Sequence, residues 1–171
     1  MIALTSEQDK EQLKEYALEL LKQDDFEGLI ILVEILRETN FKLNSSLKES
    51  FLKKAAKHGH LEIVKYLVEH GVDIHTQTDY ALRFATEKGH LGIVKYLIEN
   101  GADIHANNDF ALRWAAFDGY LEIVKYLVEH GADIHAANDS ALKGAAEYGH
   151  TKVVEYLQEV LKNDSTHQRT R

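Results

Sequence analysis

The chain has 171 residues, 44% of them hydrophobic, and a formal net charge of −8. That supplies enough apolar material for a continuous core, yet no apolar run approaches the roughly 18 residues a bilayer-crossing helix needs, and the acidic balance disfavours general attraction to nucleic acid or anionic lipid. Cysteine is absent, which excludes disulfides, thiolate metal ligands and a cysteine nucleophile, and proline is absent too.

In chain order, MIALTSEQDKEQ lacks the basic-then-apolar pattern of a signal peptide, so an intracellular protein, cytoplasmic or nuclear, is expected. A helix is predicted over about residues 6–22, opened by Thr5 or Ser6 with Gln8 or Asp9 downstream. DFEGLIILVEIL (25–36) and NFKLN (40–44) then anticipate a pattern that becomes explicit further on. GHLEIVKYLVEHGVDIH (59–75) returns as GHLGIVKYLIENGADIH (89–105) and GYLEIVKYLVEHGADIH (119–135), and decays into GHTKVVEYLQEVL (149–161), a period of 30 residues. A fixed period of this length signals stacked helical repeats, each unable to bury its apolar face alone.

Within one repeat, DFALRWAAFD (109–118) is alanine-rich with apolar residues at helical spacing, and LEIVKYLVEH (121–130) is a second apolar helix. Asp79, Asp109 and Asp139 stand where an N-cap acceptor is wanted. Gly59, Gly89, Gly119 and Gly149 fall between the helices, and Gly71, Gly101 and Gly131 end the second one. Lys65, Lys95 and Lys125 recur beside Glu62, Glu122, Glu69, Glu99 and Glu129 as a solvated mixed-charge face. In the last copy Thr151 and Gln158 replace leucine and valine, the helix is expected to run to about Asn163, and NDSTHQRTR is expected to be disordered.

These residues resemble the ankyrin repeat family, through its A-A-x-x-G-H-L-E-I-V-x-x-L-L-x-x-G-A-D-I core, seen three times nearly complete across about residues 45–161. The resemblance implies an all-α solenoid of stacked helical hairpins, about five in number. Here YALR, FALR and SALK stand at the family's TPLH tetrapeptide, and the repeat is shorter than usual, so the β-hairpin fingers are expected to be reduced to tight connectors. The short, proline-free repeat with GADIH and NNDFALRWAA is similar to those of ankyrin proteins from amoeba-infecting giant DNA viruses. Residues 1–44 then read as a degenerate N-terminal capping repeat, 45–161 as ankyrin repeats including a C-terminal cap, and 162–171 as a disordered tail. The family implies a non-enzymatic, monomeric module that binds a protein partner on its concave helical face, with no cofactor, nucleic acid or membrane. The alternative is an adaptor, in which the N-terminal segment recruits a second protein such as ubiquitin-ligase machinery while the repeats select the target.

Aligning the repeats with one another separates packing from surface. Leu52, Leu82, Leu112 and Leu142 keep their type, as do Val64, Val94, Val124 and Val154, and Tyr66, Tyr96, Tyr126 and Tyr156. Four positions wander instead: Ser50, Tyr80, Phe110, Ser140; Lys54, Phe84, Trp114, Gly144; Lys57, Glu87, Phe117, Glu147; and His58, Lys88, Asp118, Tyr148. Their i, i+4, i+7, i+8 spacing places them on one face of the first helix, the side that in the family commonly contacts partners. Tyr80, Phe84, Lys88, Phe110, Trp114, Phe117, Asp118 and Tyr148 are the candidate partner-binding residues, because contiguous aromatics on a hydrophilic chain mark interaction sites; the competing reading is that the rings fill gaps left by the short fingers. Glu87, Asp118 and Glu147 on this face point to a partner with basic or hydrogen-bond-donating rim groups.

Two ladders look chemical. His75, His105 and His135, and His60, His90 and His150, recur one repeat apart. Helices in adjacent repeats lie about 8–10 Å apart while zinc ligands sit about 2 Å from the ion, so neither ladder converges on one metal, and backbone hydrogen bonding is the expected role. Lys53, Arg83, Arg113 and Lys143 each follow Glu49, Asp79, Asp109 or Asp139 by four residues, the spacing of an ion pair at a helix start, with a phosphate-tracking ladder as the alternative. No P-loop, HExxH, GxSxG or dinucleotide fingerprint is present, so no catalytic residue is assigned.

Overall fold

The computed structural model describes residues 45–168, together with isolated positions between residues 12 and 31. The expected capping repeat over 1–44, and with it the adaptor segment and the fifth hairpin, lies outside the described residues. Two compact units, 1–73 and 74–171, divide the chain. In the first, α1 (Ser45–His58) packs against α2 (Leu61–Glu69). In the second, the hairpins α3 (Thr76–Glu87) with α4 (Leu91–Glu99), α5 (Ala106–Phe117) with α6 (Leu121–Glu129), and α7 (Ala136–Glu147) with α8 (Thr151–Gln168) stack in sequence. Within this unit α5 lies against α3 and α7, and α6 against α4 and α8. No strand occurs among the described residues.

The recurring side chains form the core. Leu52, Leu82 and Leu112 are buried, as are Val64, Val94 and Val124, and in the second helices isoleucine and leucine four apart close the same face. Burying each such side chain contributes about 1.5–3 kcal/mol. The alanine pairs at 55–56 and 115–116 are fully buried, and the second lets α5 approach its neighbouring first helices closely. In the last hairpin Leu142 and Val154 are only half-buried, unlike their counterparts. Tyr66 and Tyr126 are buried, whereas Tyr96 and Tyr156 are half-exposed.

Glycine is required where consecutive repeats touch. Gly89 has φ +74°, and a Cβ there would come within 2.7 Å of the Tyr120 ring; at Gly119 it would collide with the His150 ring. The rings at the heads of α6 and α8 therefore rest on the glycines of the preceding repeats. His150 Nε2–H also donates to the Phe117 carbonyl at 2.9 Å, satisfying an open C-terminal group of α5, which is the backbone role expected for this ladder.

The connectors differ from expectation in one respect. Asn107, Asn108 and Asp109 all lie in the left-handed region (φ 53°, 61° and 53°), as do Ala137, Asn138 and Asp139 (φ 52°, 59° and 58°), so α5 and α7 are each entered through a single left-handed turn. Thr78 and Asp79 share this conformation. The aspartates are consequently not N-caps. Asp79 and Asp109 are 4% exposed, and their carboxylates reach forward to the next repeat, where Oδ1 accepts the backbone N–H of Asp103 at 3.0 Å and of Asp133 at 2.9 Å. The left-handed turn rotates the carboxylate away from its own helix and toward the following connector.

The C-terminal end is a second correction. Helix α8 extends to Gln168, past the expected stop at Asn163, so residues 162–168 are helical rather than disordered. Polar composition alone misled, because Lys162 to Gln168 contain no helix breaker.

Candidate functional site

One face of α3, α5 and α7 carries the wandering positions. Phe110, Trp114 and Phe117 project at i, i+4 and i+7 of α5, so their rings stack along the helix: Phe110 and Trp114 at 4.7 Å between centroids and 11° between planes, Trp114 and Phe117 at 5.4 Å and 20°. Tyr148, at the end of α7, packs on Phe117 at 4.0 Å. On α3, Tyr80 and Phe84 meet edge to face at 4.3 Å. The Arg83 guanidinium carbon lies 4.4 Å from the Phe110 centroid and 5.4 Å from that of Tyr80, joining the two groups into one line of π-surfaces.

Exposure along this line is graded. Tyr80, Phe84, Phe110, Trp114, Phe117 and Asp118 are half-buried, mostly against one another, while Lys88 is exposed and Tyr148 is 54% exposed. The rings therefore both pack and present apolar surface. At the far edge Lys88 forms an ion pair with Glu87 at 2.8 Å, and the bonded carboxylate raises the Lys88 pKa. Asp118 is pushed above the ordinary carboxyl value, first by burial and then by the nearby Glu87 charge, with Lys88 and His150 opposing.

The cations are used differently from the expected ion pairs. Arg113 donates from Nε to the Asn108 carbonyl and from Nη2 to the Asn107 carbonyl, both at 3.0 Å, and Lys143 Nζ donates to the Asn138 carbonyl at 2.6 Å. The left-handed turn directs its carbonyls at the cation one turn into the helix, while Asp109, beside Arg113, faces the next repeat. Arg83 departs from this pattern: its Nε is buried without a hydrogen-bond acceptor. The 30-residue recurrence of Arg83, Arg113 and Lys143 marked this cationic column in the sequence, but the acids four residues back were not the acceptors: Arg113 and Lys143 bond the carbonyls of the left-handed turn.

Two hollows open on the same face. One, of about 240 Å³, is bounded by Tyr80, Arg83, Phe84 and Glu87. The other, of about 420 Å³, has Trp114 and Phe117 as its aromatic wall and Gly144 as its floor, with Arg113, Lys143 and Glu147 at its rim. It exists because Gly144 takes the place held by Phe84 and Trp114 in the preceding repeats.

The histidines do not gather. His75, His105 and His135 each donate from Nδ1 to the aspartate four residues on, at 3.2, 3.0 and 2.7 Å. Among the described residues no three His, Asp or Glu side chains form a group that could hold a metal ion, and no helix is long and apolar enough to cross a membrane.

A family model of ankyrin repeats, in three copies, matches residues 21–108 and 105–168. The chain is also 54% identical over 39 residues to an ankyrin repeat protein of Acanthamoeba polyphaga mimivirus, a stretch that spans 23% of this chain and 15% of that relative.

Proposed function

Because the chain belongs to the ankyrin repeat family, whose members are in general protein–protein interaction modules, we propose that it binds a protein partner through the common face of α3, α5 and α7. Tyr80, Phe84, Phe110, Trp114 and Phe117 supply the apolar contact in this reading, with Lys88, Asp118 and Tyr148 along the rim. The observation that carries it is the line running from Phe84 through Tyr80 and Arg83 to Phe110, Trp114, Phe117 and Tyr148, whose rings stand at positions that vary between repeats while the packing positions do not. Aromatic side chains that keep part of their surface open lose little entropy on docking and supply most binding hot spots.

Affinity capture from cells with the full chain and with Trp114→Ala tests this. Trp114 stacks on two rings, so its removal should cost folding about 1–2 kcal/mol while weakening partner binding by about 2 kcal/mol or more. A captured partner retained undiminished by Trp114→Ala, Phe110→Ala and Tyr80→Ala would place the binding surface elsewhere.

A further inference from the structure

We propose that the hollow over Gly144 is a socket for one bulky apolar side chain of the partner, flanked on the partner's chain by an aspartate or glutamate. The inference rests on the binding reading above and narrows it to a chemistry.

Shape carries the apolar half. Position 144 faces the partner side in register with Phe84 and Trp114, and only there is the side chain missing, leaving about 420 Å³ beside the flat walls of Trp114 and Phe117. A Cβ at Gly144 would meet Phe117 Cδ2 at 3.5 Å, ordinary contact, so the scaffold does not demand glycine there. Nor is it a left-handed position that needs one. An apolar side chain set against two aromatic walls gains by leaving water.

Charge carries the other half. The chain as a whole is at −8, yet the rim of this hollow holds two cations, Arg113 and Lys143, against one carboxylate, Glu147. Both cations are anchored rather than neutralised: Arg113 uses two of its five N–H groups on the carbonyls of Asn107 and Asn108, and Lys143 uses one of three on Asn138. Backbone carbonyls hold the head groups in place without cancelling their charge, so an arriving carboxylate meets pre-positioned donors. Glu147, one helical turn beyond Lys143 on α7, disfavours acid at that end of the hollow and so orients the segment.

A phage-displayed random peptide library selected on the full-length wild-type chain tests the proposal, with synthetic copies of the recovered peptides titrated against the wild type and the variants by isothermal calorimetry. The recovered sequences should be enriched in a large apolar residue with Asp or Glu within two positions. Gly144→Phe, and independently Gly144→Leu, should keep the thermal midpoint yet weaken these peptides about tenfold or more, and Lys143→Gln about threefold with a flatter salt dependence. Peptides without an acidic neighbour, a library that yields only polyanions lacking an apolar residue, or binding to both Gly144 variants within about twofold of wild type overturns it. Binding lost on Trp114→Ala but kept in both Gly144 variants leaves the aromatic face standing and removes the socket; binding kept in all three removes both.

Discussion

Asp109 reaches across a repeat boundary: its Oδ1 accepts the backbone N–H of Asp133, 24 residues ahead, at 2.9 Å, while His105 Nδ1–H donates to the same oxygen at 3.0 Å. Asp79 makes the equivalent contact to Asp103. Each buried carboxylate is thus a clip from one repeat to the next.

Removing the clip should be costly. Asp109→Ala leaves the Asp133 N–H without its acceptor in a part-buried site, a loss of about 2 kcal/mol, and Asp109→Asn, which keeps an acceptor oxygen, should lose less. Asp139, whose side chain is 42% exposed against 6% for Asp109, should lose under about 1 kcal/mol on replacement by alanine. Urea unfolding of the three variants measures the order; equal losses at 109 and 139 would remove the clip.

The left-handed turns carry strain that a single change can release. Ala137 has φ 52° and ψ 44° with a Cβ and no polar side chain to compensate. Ala137→Gly should therefore stabilise the fold by about 0.5–1 kcal/mol, the left-handed cost of an L-residue outweighing the added freedom of glycine when unfolded. Ala137→Val should do the reverse. Thermal midpoints a few degrees above and below wild type would show it.

Leu112 is fully buried in the middle of the stack. Leu112→Ala should cost about 2–5 kcal/mol in denaturant unfolding, and a loss below about 0.5 kcal/mol would mean the inward face is misassigned.

Asp118 gives a pH dependence whose sign is fixed. Burial first, and Glu87 second, raise its carboxyl pKa above the ordinary 3.8, so between 3.8 and the raised value the folded chain holds the proton more tightly than the unfolded one. Stability contributed at this site falls as pH rises through that window. Asp118→Asn should raise the thermal midpoint at neutral pH and make no difference near pH 3, where both states are protonated; an unchanged or lower midpoint at neutral pH contradicts the assignment.

The hairpins and their buried leucines and valines were legible in the sequence because identical packing demands recur every repeat, and repetition exposes them. The aspartates were harder. An acid before a helix fits an N-cap as well as a forward clip, and the deciding feature, a run of left-handed residues, is spelled by Asn107, Asn108 and Ala137 rather than by glycine. Arg113 and Lys143 then followed the misread turn, since their acceptors are its carbonyls and not the acids four residues back. The rings of the candidate face were legible as positions that vary, but the hollow at Gly144 was not, because it is made by an absent side chain seen only against the stacked walls of Trp114 and Phe117.

A clip that spans 24 residues in a chain that repeats every 30 has a consequence for how such an array lengthens. Duplicating a whole repeat copies the aspartate and the amide it seeks in the same register, wherever the duplicated block begins and ends. Insertions of any other length between the aspartate and its amide separate them. Growth by whole-repeat gene duplication therefore delivers each new copy already fastened to its neighbours, and leaves the outward residues of its first helix as the cheapest place for the copies to diverge.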